Sequence, residues 1–198
     1  MLGAKAGYNL TMLSFEKSDG YSGKNISEDG TGGGFHCGMF LRSKSKGPVA
    51  LRIEALYSQR TSSLNYGISG SVYSPTYEYN GTVMASFSYI EMPVMVAISP
   101  GGGLDFQFGL SPSILVSADV TDEWTKSVSS GYTDVGSDFD KVVVELVPGV
   151  SYDFANGIHL SARYVAGLDE FDITRSSSIR QKVFQFSAGY CFLGKRTS

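Results

Sequence analysis

The chain has 198 residues and a net charge of −3, a length that suits one domain, taken here as residues 1–198, better than two well-filled cores. Charged residues make up 18%, against about 25% in a typical soluble domain, while glycine supplies 24 residues and aromatics 13%, which is a β-type composition. The acidic balance excludes the basic footprint of a nucleic-acid binder, and two histidines and two cysteines far apart in sequence give no zinc spacing and no disulfide framework.

No apolar run approaches the roughly 18 residues of a membrane helix, the longest being Met92 to Ile98. The opening Met1-Leu2-Gly3-Ala4-Lys5 has neither the charged nor the apolar region of a secretory signal, so the chain is expected to be either cytosolic or a mature form whose leader has been removed. Along the chain the pattern is alternation. Residues 3–10 and 34–42 form the first two expected strands. Residues 49–58 are the clearest: Val49, Leu51, Ile53, Ala55 and Tyr57 share one face, and Ala50, Arg52, Glu54, Leu56 and Ser58 the other. Residues 83–98 follow, then 104–116, where Leu104 to Val116 at every second position oppose Asp105, Gln107, Gly109, Ser111 and Ser113. The last three strands are 142–152, 158–167 and 182–193.

Eight strands result, joined alternately by short links (43–48, 99–103, 153–157) and long ones (11–33, 59–82, 117–141, 168–180). An even-stranded meander with short turns on one side and long loops on the other is the layout of an outer-membrane barrel with both termini on the short-turn, periplasmic side. The predicted fold is thus all-β, an eight-stranded antiparallel up-and-down transmembrane β-barrel of the size of OmpA and OmpX. A soluble lipocalin-like carrier of an apolar ligand would show the same alternation with its faces inverted. The second face arbitrates. It is mostly small (Gly7, Gly38, Ala50, Gly109, Ser111, Ser151, Ser187), which suits a narrow lumen better than contact with water. The first face carries residues such as Tyr8, Phe35, Met39, Val94, Phe186 and Phe192 and is expected to hold no Asp, Glu, Lys or Arg, as lipid contact demands.

The strings Gly3-Ala4-Lys5-Ala6-Gly7-Tyr8-Asn9, Gly34-Phe35-His36-Cys37-Gly38, Leu51 to Gln59, Tyr89-Ile90-Glu91-Met92-Pro93, Arg163-Tyr164 with Gly167-Leu168, and Gly189-Tyr190-Cys191-Phe192 resemble the PorT-like outer-membrane β-barrel family of Bacteroidetes. The resemblance spans nearly the whole chain and is strongest in Leu51 to Gln59 and Tyr89 to Pro93. It implies a Gram-negative outer-membrane barrel, and through the family's namesake a link to protein export by the type IX secretion route.

Lys5, Arg52, Glu54, Glu91, Glu145 and Arg163 fall on the lumen face, three of each sign, and balance points to a paired structural network that plugs the lumen. Arg163 and Glu145 are expected to meet across the 153–157 turn. Pro93, Pro112 and Pro148 inside strands call for bulges. His36 and His159, the latter two residues from Ser161, raise the third reading, an outer-membrane acyl hydrolase. Inward-facing groups cannot meet lipid, so no catalytic residue and no enzyme activity are assigned. The acidic third loop (Asp119, Asp122, Glu123, Asp134, Asp138, Asp140) matches no calcium-loop spacing, and Gly30 to Gly34 with Gly23-Lys24-Asn25 matches no phosphate loop, so both are taken as solvated loop and no cofactor or metal is expected. Cys37 and Cys191 should be free thiols on opposite faces. The second long link keeps period two through Tyr66, Tyr73, Tyr77 and Tyr79, which marks a projecting hairpin and a candidate contact surface for a protein partner. The expected partners are outer-membrane lipid and lipopolysaccharide, with the chain a monomer acting as a scaffold.

Overall fold

The computed structural model describes residues 1–16, 24–27, 31–43, 47–70, 77–122, 142–168, 171–174 and 177–194. Their regular structure is all strand: β1 (Leu2–Glu16), β2 (Lys24–Ser27), β3 (Thr31–Arg42), β4 (Val49–Gly70), β5 (Tyr77–Glu91), β6 (Val94–Gly101), β7 (Leu104–Asp122), β8 (Val142–Leu146), β9 (Gly149–Asp153), β10 (Ile158–Gly167), β11 (Phe171–Thr174) and β12 (Ser177–Leu193). All belong to one antiparallel sheet, and the ladder returns on itself because β12 pairs with β1 along one edge and β10 along the other. Met1 and Arg42 exchange backbone hydrogen bonds beside the 43–48 turn, and Leu2 lies opposite Leu193, so Met1 and Leu193 sit on the short-turn side.

The burial pattern assigns the two faces. Large apolar side chains are exposed on the outward face of nearly every strand, among them Tyr8, Phe35, Met39, Leu51, Val96, Phe108, Leu160 and Phe186. Polar and charged side chains fill the inside, which is the reverse of a water-soluble carrier. Within the eight expected segments the expectation of an uncharged outward face fails at Lys182. Lys182 shares the outward face with Phe184 and Phe186 and is exposed, lying opposite Met12 and Ala166 where the apolar row of β12 ends. There a long side chain can carry its ammonium beyond the apolar band.

The prolines act without bulges. Ile53 faces Val94 and Leu56 faces Glu91, an equal step along both strands, so β5 and β6 are one strand whose ladder is interrupted at Met92 and Pro93. Likewise Leu110 faces Leu146 and Gln107 faces Gly149 on either side of Pro148. Each proline lacks its donor but still accepts: Glu54 N–H donates to Pro93 O, Met92 N–H to Pro112 O, and Tyr164 N–H to Pro148 O. The bulge that does exist is at Val116, the unmatched residue of β7 between the pairs Tyr89 with Leu115 and Ser88 with Ser117.

Strands outrun their expected ends on the long-loop side. β4 reaches Gly70 and pairs with β5 out to Tyr77, β7 reaches Asp122, and Gly32 to Gly34 lie within β3 instead of a flexible loop. Asp119 and Asp122 are accordingly strand residues, whereas Glu123, Asp134, Asp138 and Asp140 lie outside the described residues.

Candidate functional site in the interior

Period two places Arg52, Glu54, Leu56, Ser58, Arg60 and Ser62 in one inward row of β4, and that row forms the spine of a polar interior. All six charged residues expected on the lumen face are buried there. Glu54 collects three cations: Lys5 Nζ at 2.6 Å and Arg163 Nη1 at 2.7 Å on Oε2, and Arg52 Nε at 2.8 Å on Oε1. Arg163 also approaches Glu91 at 3.6 Å.

The expected contact between Arg163 and Glu145 is replaced by another. β10 meets β8 with Gly167 opposite Glu145, while Arg163 lies opposite Gly149, so their backbone positions are offset by four residues, about 13 Å along the strand at roughly 3.3 Å per residue. Arg60 takes Glu145 instead, donating from Nη1 at 2.5 Å and Nη2 at 2.9 Å, and its Nη2 also reaches Glu91 Oε1 at 2.6 Å. Ser113 completes the Glu145 shell at 2.7 Å, and Gln185 bridges Arg163 to Glu91. Two aromatic faces back the guanidinium groups, Phe40 at 4.3 Å from Arg52 and Tyr89 at 4.7 Å from Arg60. The buried cations Lys5, Arg52, Arg60 and Arg163 thus face Glu54, Glu91, Glu145 and Asp153, and the further carboxylate Asp105 takes half-buried Arg42 at 3.0 Å.

Sequence reading missed Arg60, Asp153, Asn9 and Gln185. The first two fall in segments read as connections. The signal for Arg60 was its even position in the row that already held Arg52 and Glu54.

Interior glycines let long side chains cross a strand. His36 on β3 lies opposite Gly7 on β1, which lies opposite Ser187 on β12, and His36 Nε2 reaches Ser187 Oγ at 2.6 Å over the bare glycine. A Cβ on Gly7 would sit 2.6 Å from the imidazole. Asn9 likewise crosses Gly34, donating to Gln59 O at 2.8 Å and Ser58 Oγ at 3.0 Å. Because the Asn9 amide nitrogen is spent as donor, its Oδ1 accepts from His36 Nδ1 at 2.7 Å, and His36 Nε2 accepts from Ser187. That chain has the order of a hydrolase nucleophile, base and orienting group, but it is enclosed on the inner face, where a lipid ester in the bilayer has no approach. His159 turns away from Ser161 altogether: its Nδ1 donates to Asp153 at 2.7 Å and its Nε2 accepts from Arg52 at 2.8 Å.

Cys37 is exposed and Cys191 buried, both free, as their opposite faces imply. Of the candidate loop tyrosines, Tyr73 lies outside the described residues, and only the backbone is described for Tyr66, Tyr77 and Tyr79. Ile68 pairs with Tyr79 and Gly70 with Tyr77, so these positions do belong to a hairpin. Among the described residues no cluster of His, Cys, Asp and Glu has the arrangement of a metal site.

Residues 1–172 match the family model described as an outer membrane protein beta-barrel domain. The chain belongs to this family. Its place is therefore the outer membrane, where the exposed apolar face of this barrel family member meets lipid. No curated protein matches its sequence. Among solved structures, Ail, the attachment invasion locus protein of Yersinia pestis, aligns at 11% identity over 96% of this chain and 97% of its own, with a TM-score of 0.41. Neisserial surface protein A aligns at 10% identity over the same shares with a TM-score of 0.34, and the NanC porin at 8% identity over 97% and 100% with a TM-score of 0.33.

Proposed function

We propose that the chain is a closed eight-stranded up-and-down transmembrane barrel with a plugged lumen, a non-enzymatic, monomeric scaffold that offers its long extracellular loops to a protein partner. Counting β5 with β6 and β8 with β9 as single interrupted strands, and setting aside the four-residue β2 and β11, supports the number eight. The observation that carries the function is the interior itself: its charges are matched by sign, and an ion pair from Arg163 to Glu54 and a hydrogen bond from Arg52 to His159 cross the lumen between β4 and β10. A selective pore would keep one sign in excess and leave donors facing water. The likeness of Leu51 to Gln59 and Tyr89 to Pro93 to the PorT-like proteins of Bacteroidetes supports a role beside the type IX protein-export route. Purified protein in a planar bilayer should give negligible conductance, and steady single-channel steps would overturn the plugged reading.

A further inference from the structure

The outward face changes chemistry abruptly on one side of the molecule. Along β4 the outward residues run Val49, Leu51, Ile53, Ala55 and Tyr57, and then Gln59, Thr61 and Ser63. On β5 and β6 they run Ile98, Val96, Val94, Met92 and Ile90, and then the buried Ser88, the half-buried Ser86 and the exposed Met84. Both apolar rows span nine residues, the span of a transmembrane strand at about 9–11 residues, so the switch marks the upper edge of the hydrocarbon.

β7 joins this polar face only because of its bulge. Up to Val116 its even-numbered residues point outward; beyond it, Ser117 pairs with Ser88 and Asp119 with Ser86, both outward and exposed. Were Val116 paired in regular register, Ser117 and Asp119 would turn inward and Ala118 would face out. The extra residue therefore aims a hydroxyl and a carboxylate outward just where the lipid band ends. The side chains form a hydrogen-bonded surface: Tyr57 OH donates to Ser88 at 3.0 Å, Gln59 Nε2 to Ser86 at 3.2 Å, and Ser117 to Asp119 at 3.3 Å.

We infer that this face of β4, β5 and β7, built from Gln59, Thr61, Ser86, Ser117 and Asp119, binds the saccharide headgroup of the glycolipid in the outer leaflet. The inference rests on the outward face being the lipid face. Position argues for that occupant, since these residues continue the lipid-facing surface directly above the acyl chains and meet whatever the headgroups are. Chemistry argues for a sugar: hydroxyls and an amide on a flat sheet exchange hydrogen bonds with sugar hydroxyls, whereas a phospholipid phosphate would call for cations, and the patch holds none. On the opposite side the outward row of β1 is still apolar at Met12, and that of β12 carries Lys182 beyond Phe184.

The full chain in detergent, titrated with lipopolysaccharide of a deep-rough type, should bind it, and the delipidated core oligosaccharide should compete. The triple variant Gln59→Leu, Thr61→Val, Ser86→Ala should weaken that binding at least fivefold while keeping the shift in gel mobility between unheated and boiled samples. Equal binding to phosphatidylglycerol micelles, no competition by the oligosaccharide, or wild-type affinity in the variant would each overturn the inference. If the variant does not fold, competition on the wild-type chain decides alone. Absence of any heat-dependent mobility in the wild type would instead strike at the barrel reading beneath it.

Discussion

Arg60 is the residue on which the upper half of the interior depends, since its guanidinium faces both Glu91 and Glu145. Replacing it with methionine leaves two buried carboxylates short of their shared cation, and breaking a buried pair in this way costs about 3–5 kcal/mol. Arg60→Met should lower the urea midpoint of unfolding accordingly. Adding Glu145→Gln should recover part of the loss, because Glu91 retains Arg163 and Gln185 and the second uncompensated charge is gone. A double variant no more stable than the single one would show that the pair does not act as a unit. The inward or outward facing of Lys5, Arg52, Glu54, Glu91, Glu145 and Arg163 was legible in sequence, because parity along a strand decides it. Their partners were not. Pairing depends on the stagger between strands, and a stagger set by register cannot be read from either strand alone. The crossings over Gly7 and Gly34 were hidden for the same reason: those glycines look like lumen filler until the strands on both sides are in place.

At the scale of elements, the barrel wall was read where lipid demands an apolar face and lost where it does not. Beyond Gln59 both faces of β4 carry polar residues through Ser63, so the contrast between the faces fades there although the strand goes on, and period two shows again only from Leu64 into the hairpin. Proline misled in the other direction. A missing donor suggests an inserted residue, yet the ladder here simply skips a bond, with Pro112 lying opposite the gap at Met92. The true bulge at Val116 sits in a run of ordinary residues and leaves no compositional mark. Because Val116 has no partner on β5 and its side chain is 60% exposed, its deletion keeps every pair on either side, with Ser88 still opposite Ser117. We expect the Val116-deleted chain to fold with a stability change under about 1 kcal/mol, within the range of surface changes that touch no special feature. In a Cys37→Ser background, Ser117→Cys should label with an aqueous maleimide equally with and without Val116. Loss of labelling on deletion would mean that the bulge holds the register and not merely the curvature.

At the scale of the whole molecule, the barrel and the structure above it are separable, because the charged interior is complete below the level at which the hairpin emerges. The uppermost charged side chain of the described interior row of β4 is Arg60, and β4 and β5 continue from there as a paired ribbon to Gly70 and Tyr77, with β2 alongside β4 from Asn65 to Ile68. The ion pairs described around Glu54, Glu91 and Glu145 all lie below that ribbon. Its removal can also be made without strain. Excising residues 66–79 joins Asn65 to Asn80, and since Asn65 already pairs with Thr82, the new connection is the two-residue loop Asn80-Gly81. Asn-Gly is the preferred sequence for the type I′ turn that closes a tight hairpin, because both positions take positive φ. The shortened chain should therefore fold, keep its heat-dependent gel mobility and stay silent in a planar bilayer. It should lose affinity for a protein partner that uses Tyr66, Tyr73, Tyr77 and Tyr79, as tyrosines on a rigid ribbon suit an interface. Retained partner binding after the excision would move recognition to the other long loops. Failure to fold would show that the ribbon is part of the barrel's own stability.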